Sequence, residues 1–568
     1  MTSVFYTAGD GTGWAIDEDL RLIRESVQGL VEEVPLARAR VVHSPFWVGL
    51  GMHDPELLTR RHVIAHADNP PFFYLTQPDF LLAQRVVRLW VARSTEAFNQ
   101  FRALRLPVRL IPYAIDPALF FPLSDEDRRR VRSRLGLPEG AFVIGNFHRD
   151  SEGSNLHSPK LQKAPELLLL ICQKLKASGA NIHVLLAGPR RHWIRRALTD
   201  AGIPYTFAGR QGITGDDLRE NILPREELNE LYNACDVHVV PSRWEGGPQS
   251  VMECAAARVK TLSTPVGVAR DILEPESLFQ TASEAAGRLL EDIARGVLAA
   301  TIEKQHAKWK AAHTLDAMRG HLRDLYREYQ ATPPPAWLEP VRDALREARW
   351  QVLRRLPQRR IRRIAVVHQN GHDACLDKIV PLLRRHLAQA GLLGGEEADF
   401  VIAGFVAPGP SSATPIDAQL ASPDTCPSQI HPRACVLFPS AQDAVNFREA
   451  GGTQPALVCP IVEADPGGDR KPLLVESERE SHRILEALAS GRPVVHPAAL
   501  HYTQTVYHGG IAYGEPGPDR DRALQMATSD AEDLARLARI PDGASTATFF
   551  HALYQNPCTR RSGFNARS

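Results

Sequence analysis

The sequence predicts an α/β protein that contains several Rossmann-like units of parallel strands and helices. Two observations support this fold class: a length of 568 residues, which exceeds one ordinary domain, and a repeated alternation of apolar runs with helix-like periods. The runs of strand length lie at residues 40–43, 63–66, 88–92, 108–112, 142–145, 183–188 and 236–241. Alternation of this kind is typical of parallel sheets whose strands are connected by helices.

Composition and charge are those of an ordinary globular protein. Hydrophobic residues make up 43% and charged residues 23% of the chain, which excludes collagen-like, disordered and coiled-coil classes. Lys and Arg, 67 in all, nearly balance 66 Asp and Glu, so the net charge of +1 offers no global field to attract nucleic acid. We therefore expect no nucleic-acid partner.

Cysteine spacing and hydropathy indicate a cytoplasmic protein. The eight cysteines include no C-x-x-C pair, which argues against a zinc site and against a disulfide framework. Residues 1–6 lack the pattern of a signal peptide, and no apolar run approaches the roughly 20 residues of a membrane span.

The chain divides into six predicted segments. After the second sheet unit the pattern turns helical, and Pro333–Pro335 cannot lie inside a helix. The strongly basic stretch Arg354–Arg363 suggests peripheral association with the inner membrane face, although a solvated linker helix with acidic neighbours is the plainer alternative. Apolar runs at 364–368, 400–404 and 434–438 predict a third α/β unit. The predicted segments are 1–116 and 117–282 for the two sheet units, 283–330 for helices, 331–363 for a basic helical linker, 364–545 for the third unit and 546–568 for a tail.

The segment Pro241–Glu253 carries the strongest chemical signal. It directly follows an apolar strand and places Gly246 and Gly247 in a turn before a helix. Ligands of open α/β sheets bind at this carboxyl edge, where backbone N–H groups of a helix face a phosphate or a hydroxyl-rich ligand. Glu245 and Glu253, with seven residues between them, can accept hydrogen bonds from different hydroxyls of one polar ligand.

This E-x7-E pattern after a strand ending in Pro-Ser resembles the signature of the family-four retaining glycosyltransferases, glycosyltransferase group 1. Residues 223–236 are similar to the helix and strand that precede the signature in that family. The resemblance implies a GT-B fold, in which two Rossmann-like domains face each other across a cleft, with an additional Rossmann-like domain at the C-terminal end. It assigns Glu245 to hydroxyls of the donor sugar and Glu253 to the nucleotide ribose.

The implied reaction transfers a sugar from a nucleoside diphosphate donor to an acceptor hydroxyl with retention of configuration. The setting would be polysaccharide or glycoconjugate biosynthesis, and the acceptor could be a saccharide, a lipid-linked molecule or a protein. Two other functions stay open: a GT-B isomerase or phosphorylase, and a non-catalytic nucleotide-sugar-binding scaffold.

The family neutralises the donor diphosphate with an Arg and a Lys, and both have counterparts here. Arg149 follows the first strand of the second unit, and Lys163 opens the next helix, with Lys160 as a rival because the insertion 151–160 is long. Fixed cations stabilise the charge that develops on a departing diphosphate. We therefore expect activity without a metal or other cofactor.

The N-terminal unit carries weaker signals. Gly11 and Gly13 let the backbone approach a ligand closely, as does the loop that faces the donor in the family, but a plain turn explains them equally well. His66 ends a strand where the family places a His or Asp near the donor sugar, and His43 and Asp68 are alternatives. Residues 113–120 resemble the interdomain pattern Pro-x-G-x-Asp-x-x-x-Phe, with Ala114 in place of its glycine.

The third unit repeats the seven-residue gap between Glu478 and Glu486. Arg479 and Glu480 replace the glycine pair, and no Arg/Lys pair precedes the repeat. We predict a degenerate, non-catalytic copy, with a second active site and a chance match as alternatives.

Overall fold

The computed structural model describes residues 1–9, 15–151, 155–331 and 340–353. Beyond these it describes shorter segments, at 364–367, 376–390, 392–394, 400–403, 418–421, 435–438, 441–454, 456–458, 473–474, 494–497, 510–513 and 518–530, with residues 534, 549 and 552. Four of the predicted features lie outside the described residues: Gly11, Gly13, the basic stretch Arg354–Arg363 and the repeat Glu478–Glu486.

The N-terminal unit is a parallel sheet of six strands. They are β1 (Thr2–Tyr6), β2 (Val31–Glu33), β3 (Val41–Ser44), β4 (His62–His66), β5 (Val87–Ala92) and β6 (Val108–Leu110), in the spatial order β2-β1-β3-β4-β5-β6. Its helices are α1 (Ala15–Ser26), α2 (Pro55–Thr59), α3 (Pro71–Tyr74), α4 (Phe80–Val86) and α5 (Thr95–Ala103). The inner strands are buried on both faces, which explains why they are continuous apolar runs in the sequence.

The second unit is a parallel sheet of five strands. They are β7 (Phe142–Asn146), β8 (Ile182–Ala187), β9 (Tyr205–Ala208), β10 (Val237–Val240) and β11 (Thr261–Ser263), in the order β11-β10-β7-β8-β9. Its helices are α6 (Asp125–Arg134), α7 (Pro165–Ala177), α8 (His192–Asp200), α9 (Arg225–Ala234), α10 (Gln249–Ala256), α11 (Ala269–Ile272) and α12 (Ala282–Arg295). The strand order reverses beside β7, so the carboxyl ends of β7 and β10 form the crevice where ligands of such sheets bind.

Helices after the second sheet return to the N-terminal unit. Helix α13 (Ile302–Ala312) packs on α10, and α14 (Leu315–Ala331) buries Leu322 and Tyr326 against α1 and β1. Helix α15 (Pro340–Leu353) docks through Asp343, which is buried between Arg60 and Arg61 at 2.5 Å from each. The described part of the linker, residues 340–353, is therefore a helix fixed to the N-terminal unit.

The described strands of the third unit form two parallel sheets, whereas the sequence predicts a single unit. The first contains β12 (Ile364–Val367), β13 (Phe400–Ala403), β14 (Ala418–Leu420), β15 (Cys435–Phe438) and β16 (Ala456–Val458); the second contains β17 (Leu473–Leu474), β18 (Val494–Pro497) and β19 (Gly510–Tyr513). The helices are α16 (Leu376–Gln389), α17 (Ala441–Glu449) and α18 (Pro518–Ser529).

The two parts of the third unit contact different units of the rest of the chain. Gln84 of α4 donates to the carbonyl of Ala456 at 2.8 Å and accepts from its N–H at 3.1 Å, so it completes the edge strand β16. Arg522 of α18 pairs with Glu284 of α12 at 3.2 Å. The prediction of an α/β fold with facing Rossmann-like sheets is confirmed. Among the described helices, none is long and apolar enough to cross a membrane.

Candidate active site between the two facing sheets

Glu245 is the carboxylate of the turn that follows β10. It is only 7% exposed, and its Oε1 accepts a hydrogen bond from Ser242 Oγ at 2.8 Å. The same oxygen forms an ion pair with Lys163 Nζ. Charge-assisted hydrogen bonds of this kind fix a side chain more firmly than neutral ones. The turn therefore holds a carboxylate in one orientation at the carboxyl edge of the second sheet.

Lys163 reaches Glu245 because the chain bends sharply before α7. The one-turn 3-10 helix Leu161–Lys163 ends at Ala164, whose φ of +43° lies in the left-handed region. The segment is fastened to the turn because Arg243 N donates to the Gln162 carbonyl at 2.8 Å. The backbone N–H of Lys160, the rival lysine, donates to the Asp150 carbonyl at 2.6 Å. The ion pair of its Nζ with Glu245 places Lys163 at the turn.

Arg149 lies in the loop that follows β7 and is partly buried. Residues on both sides of it are anchored. His148 Nε2 lies 3.0 Å from Ser250 Oγ at the start of α10, and Asp150 accepts from the backbone N–H groups of Trp193 and Ile194 at 3.2 and 3.1 Å. The loop is thereby held at the carboxyl edge of the sheet that also carries Glu245.

Glu253, the second glutamate of the motif, lies on α10 and is 5% exposed. Tyr232 donates its hydroxyl proton to Glu253 Oε2 at 2.7 Å. Burial raises the pKa of Glu253, and the hydrogen bond from Tyr232 opposes that shift. The seven-residue gap thus places one glutamate in the turn and the other on the helix, as the motif predicts.

The N-terminal unit meets the turn at the main chain of Asp68 and Asn69. A Cβ on Gly246 would overlap the Asp68 carbonyl and lie 2.8 Å from Asn69 N, so the close approach requires glycine. Across the same gap, the Phe73 and Trp244 rings stack with centroids 4.8 Å apart. The cleft is therefore closed at this point.

Asp68 contributes a carboxylate to the cleft from the N-terminal side. Tyr74 donates its hydroxyl to Oδ1 at 2.6 Å, and Asn69 Nδ2 donates to Oδ2 at 3.0 Å. Burial raises the pKa of Asp68 to about 6, and the nearby charge of Glu245 acts in the same direction. A carboxylate with a pKa in this range changes its charge near neutral pH.

His66 is buried inside the N-terminal unit, at 1% exposure. Its Nδ1 lies 3.0 Å from Asp19 Oδ2 and is also bonded to Arg93, and its Nε2 lies 2.7 Å from His43 Nε2. His43 continues the chain to the Tyr326 hydroxyl, 2.7 Å from Nδ1. Burial lowers the pKa of His66 to about 4, so the ring is neutral at pH 7. Of the three candidates on this side, Asp68 is the one at the turn.

Two further residues adjoin the site and carry no motif of their own. Arg93 is fully buried, and its guanidinium carbon lies 4.5 Å from the centroid of the Tyr113 ring. The ring also adjoins Gly247, where an added Cβ would lie 2.6 Å from Tyr113 Cε2. Tyr113 occupies a variable position of the interdomain pattern, so the pattern marks the segment and not this side chain.

Within the described part of the chain, no group of three or more His, Cys, Asp or Glu side chains is arranged to hold a metal ion. Independence from metals stays a prediction.

Comparison with known proteins finds a family match over most of the second sheet. Residues 154–300 match the family model described as Glycosyl transferases group 1, which confirms the resemblance inferred from the E-x7-E motif. A D-inositol 3-phosphate glycosyltransferase from Stackebrandtia nassauensis is 26% identical over 334 residues, which cover 52% of this chain and 70% of the relative.

Solved structures of low sequence identity also match. Anabaena HepE with UDP and glucose has a TM-score of 0.44 at 14% identity, and the match covers 58% of this chain and all of HepE. The sucrose-phosphate synthase of Thermosynechococcus elongatus gives the same TM-score, identity and coverage.

Proposed function

We propose that the chain is a retaining glycosyltransferase that binds a nucleoside diphosphate sugar in the cleft between its first two sheets. The sugar is transferred to an acceptor hydroxyl, and the nucleoside diphosphate departs. The observation that carries the proposal is the ion pair between Glu245 and Lys163 at the carboxyl edge of the group 1 domain. The ion pair places a carboxylate that can accept hydrogen bonds from sugar hydroxyls beside a cation that can bind a phosphate.

Lys163 and Arg149 would stabilise the leaving diphosphate. An ammonium has three N–H donors, so Lys163 can bind Glu245 and a phosphate oxygen at the same time. Arg149 follows β7, the strand beside β10, and its charge would act on the same group. Positive charge placed before the reaction lowers the barrier because it stabilises the charge that develops on the departing oxygen.

Glu245 and Glu253 would orient the donor. Ser242 and Lys163 hold Glu245 through Oε1, so its carboxylate can accept a sugar hydroxyl in a fixed geometry. Glu253 shares Oε2 with Tyr232 and would accept from the ribose. Precise orientation of this kind contributes to the rate by placing the reacting atoms within reach.

Retention would follow from attack on the face that the diphosphate leaves. In that scheme a phosphate oxygen takes the proton of the acceptor hydroxyl, the new glycosidic bond forms and the bond to the diphosphate breaks. Asp68 lies on the opposite side of the turn and would hold a hydroxyl of the donor sugar.

Turnover of labelled nucleoside diphosphate sugars tests this proposal. The wild-type chain is incubated with UDP-, GDP- and ADP-sugars and an acceptor panel that includes D-inositol 3-phosphate, and released nucleoside diphosphate and glycosylated product are measured. Glu245→Ala should lower turnover by roughly a hundredfold or more, whereas Glu139→Ala, at an exposed turn, should not. Activity should persist in excess chelator.

The products separate the alternatives. Nucleoside diphosphate release with a product of retained configuration supports the proposal. Epimerisation, phosphorolysis, a product of inverted configuration, or binding without turnover would each contradict it.

A further inference from the structure

Tyr113 lies in the segment that joins the two catalytic sheets, and its main chain is fixed there. His313, between α13 and α14, has its Nδ1 3.1 Å from the Tyr113 carbonyl. The carbonyl of the same histidine accepts from the N–H of Ile115 at 3.0 Å. The segment is therefore tied to the helices that return from the second sheet to the first.

The ring of Tyr113 lies between the two catalytic units. On one side is the buried guanidinium of Arg93, which donates to the Ile111 carbonyl at 3.0 Å and pairs with Asp19. Gly247, the last residue of the glycine turn, also adjoins the ring, because an added Cβ there would lie 2.6 Å from Tyr113 Cε2. A cation over an aromatic face is attractive, more so when it is removed from water. The ring is thus held from the N-terminal side and contacts the donor-side turn.

Charged groups of both units act on the Tyr113 hydroxyl. Burial raises the pKa of Tyr113, Arg93 opposes the shift, and the charges of Asp19, Asp68 and Glu245 add to it. Two of these carboxylates, Asp68 and Glu245, belong to the candidate site. The hydroxyl therefore stays protonated in the physiological range.

We propose that Tyr113 is a positioning residue for the Glu245–Gly247 turn. Its ring supports Gly247 and thereby sets the place of Glu245 relative to the donor. The inference rests on the proposed function, since a donor must bind for the position of Glu245 to matter.

A double-mutant cycle between Tyr113 and Gly247 tests the inference. Gly247→Ala places a methyl group against the ring, and we expect kcat/KM for the donor and nucleoside diphosphate affinity to fall by roughly tenfold or more. Tyr113→Ala removes the support, and we expect kcat to fall more than KM rises. In the double variant the clash is gone, so the combined loss should be smaller than the product of the two single losses.

Matched variants isolate the contact. Tyr113→Phe keeps the ring over Gly247 and should retain donor affinity. Gly246→Ala clashes with the backbone of Asp68, and Tyr113→Ala should not relieve that loss. Tyr113→Leu replaces Tyr113→Ala if the alanine variant does not fold, because leucine preserves more of the buried volume.

The outcomes separate this inference from the proposed function. If the wild-type protein binds UDP, GDP and ADP with no measurable affinity, the proposed function fails and the positioning role fails with it. If the wild-type protein binds a nucleoside diphosphate but the Tyr113 and Gly247 effects multiply, the positioning role alone is overturned. The positioning role is supported if Tyr113→Ala restores donor kcat/KM to Gly247→Ala but does not restore it to Gly246→Ala.

Discussion

The strand ends of β10 and β4 face each other across the cleft, yet they present different groups. After β10 the chain presents side chains: Glu245 is held by Ser242 and paired with Lys163. After β4 it presents main chain and the carboxylate of Asp68, while His66 lies among buried groups of its own unit. The difference shows that the last residue of a strand can bond within its own unit while the residues that follow it meet the facing unit.

The geometry of a parallel sheet explains this difference. Side chains alternate between the two faces along a strand, and neighbouring strands place residues of similar register side by side. His43 of the adjacent β3 is the register partner of Ile64, and His66 lies two residues further along β4 on the same face, so its Nε2 lies diagonally 2.7 Å from His43 Nε2. Its Nδ1 lies 3.0 Å from Asp19 Oδ2 of α1. Two residues later the chain has left the sheet, so Asp68 reaches the cleft.

The contact between the two strand ends can be broken with one methyl group. In Gly246→Ala the new Cβ meets backbone atoms of Asp68 and Asn69, which cannot rotate away, so the two units must separate. We expect donor kcat/KM to fall by roughly a hundredfold, as for other small displacements of reacting groups. Gly215→Ala is the control, because no atom lies within 4 Å of that Cβ and the residue is exposed. Activity of Gly246→Ala near that of the wild type would refute the close approach.

Asp68 and His66 should differ in the kind of effect their substitution has. Asp68→Asn removes a charge at the cleft, and we expect donor kcat/KM to fall by roughly tenfold with the fold intact. His66→Gln breaks a buried hydrogen-bond chain, so it should lower the melting temperature and affect donor kinetics less. Steady-state kinetics and thermal melts of both variants distinguish the two roles. The reverse pattern, with His66→Gln stable and the more impaired, would make His66 the donor contact.

The pH dependence of stability sharpens the assignment of Asp68. Its pKa in the folded protein is about 6 against an ordinary 3.8, so the fold binds this proton more tightly than the unfolded chain does. The resulting stabilisation is complete below the unfolded pKa and is lost as pH rises through 6. Asp68→Asn does not titrate, so its stability relative to wild type should increase between pH 5 and pH 8. Thermal melts check this, and a constant difference across that range would contradict the burial of Asp68.

The smallest expected effect concerns Ala164, the residue of the bend that places Lys163 beside Glu245. Ala164 is buried with φ of +43°, a conformation that costs most L-residues roughly 1–2 kcal/mol. In Ala164→Gly the relief of that strain should offset the lost methyl group and the greater freedom of the unfolded chain, so stability should hardly change. Ala197→Gly, inside α8, should cost about 1 kcal/mol. Denaturant unfolding compares the two, and equal losses would show that the bend is not strained.

Much of the fold could be predicted from the sequence. Apolar runs such as 63–66, 142–145 and 236–241 coincide with β4, β7 and β10, because parallel strands covered on both faces must be continuously apolar. The division of the third unit into two sheets could not be read, since short apolar runs do not reveal which strands pair. The first part contacts the N-terminal unit through Gln84 and the second part contacts the second unit through Arg522, residues that carry no pattern of their own.

The candidate site, like the fold, could be predicted from the sequence only in part. Glu245, Glu253 and the glycine pair could be predicted from the sequence, because they lie within the thirteen-residue segment Pro241–Glu253 at a spacing that is specific to one turn and one helix. Arg93 and Tyr113 could not, because their roles arise from contacts between residues distant in sequence. The insertion before Lys163 leaves two candidate lysines in the sequence, and the ion pair of Lys163 with Glu245 becomes visible only in the tertiary structure.

Calorimetric titration of a nucleoside diphosphate tests the central claim, that the cleft edge of the second sheet binds the donor. The best ligand among UDP, GDP and ADP is titrated into the wild-type protein and into Arg149→Ala, Lys163→Ala and Glu253→Ala. Arg129→Ala, at an exposed position of α6, serves as the control. We expect each site variant to fold and to bind roughly tenfold or more weakly, and the control to bind as the wild type does. Unchanged affinity in all three folded site variants would contradict the account.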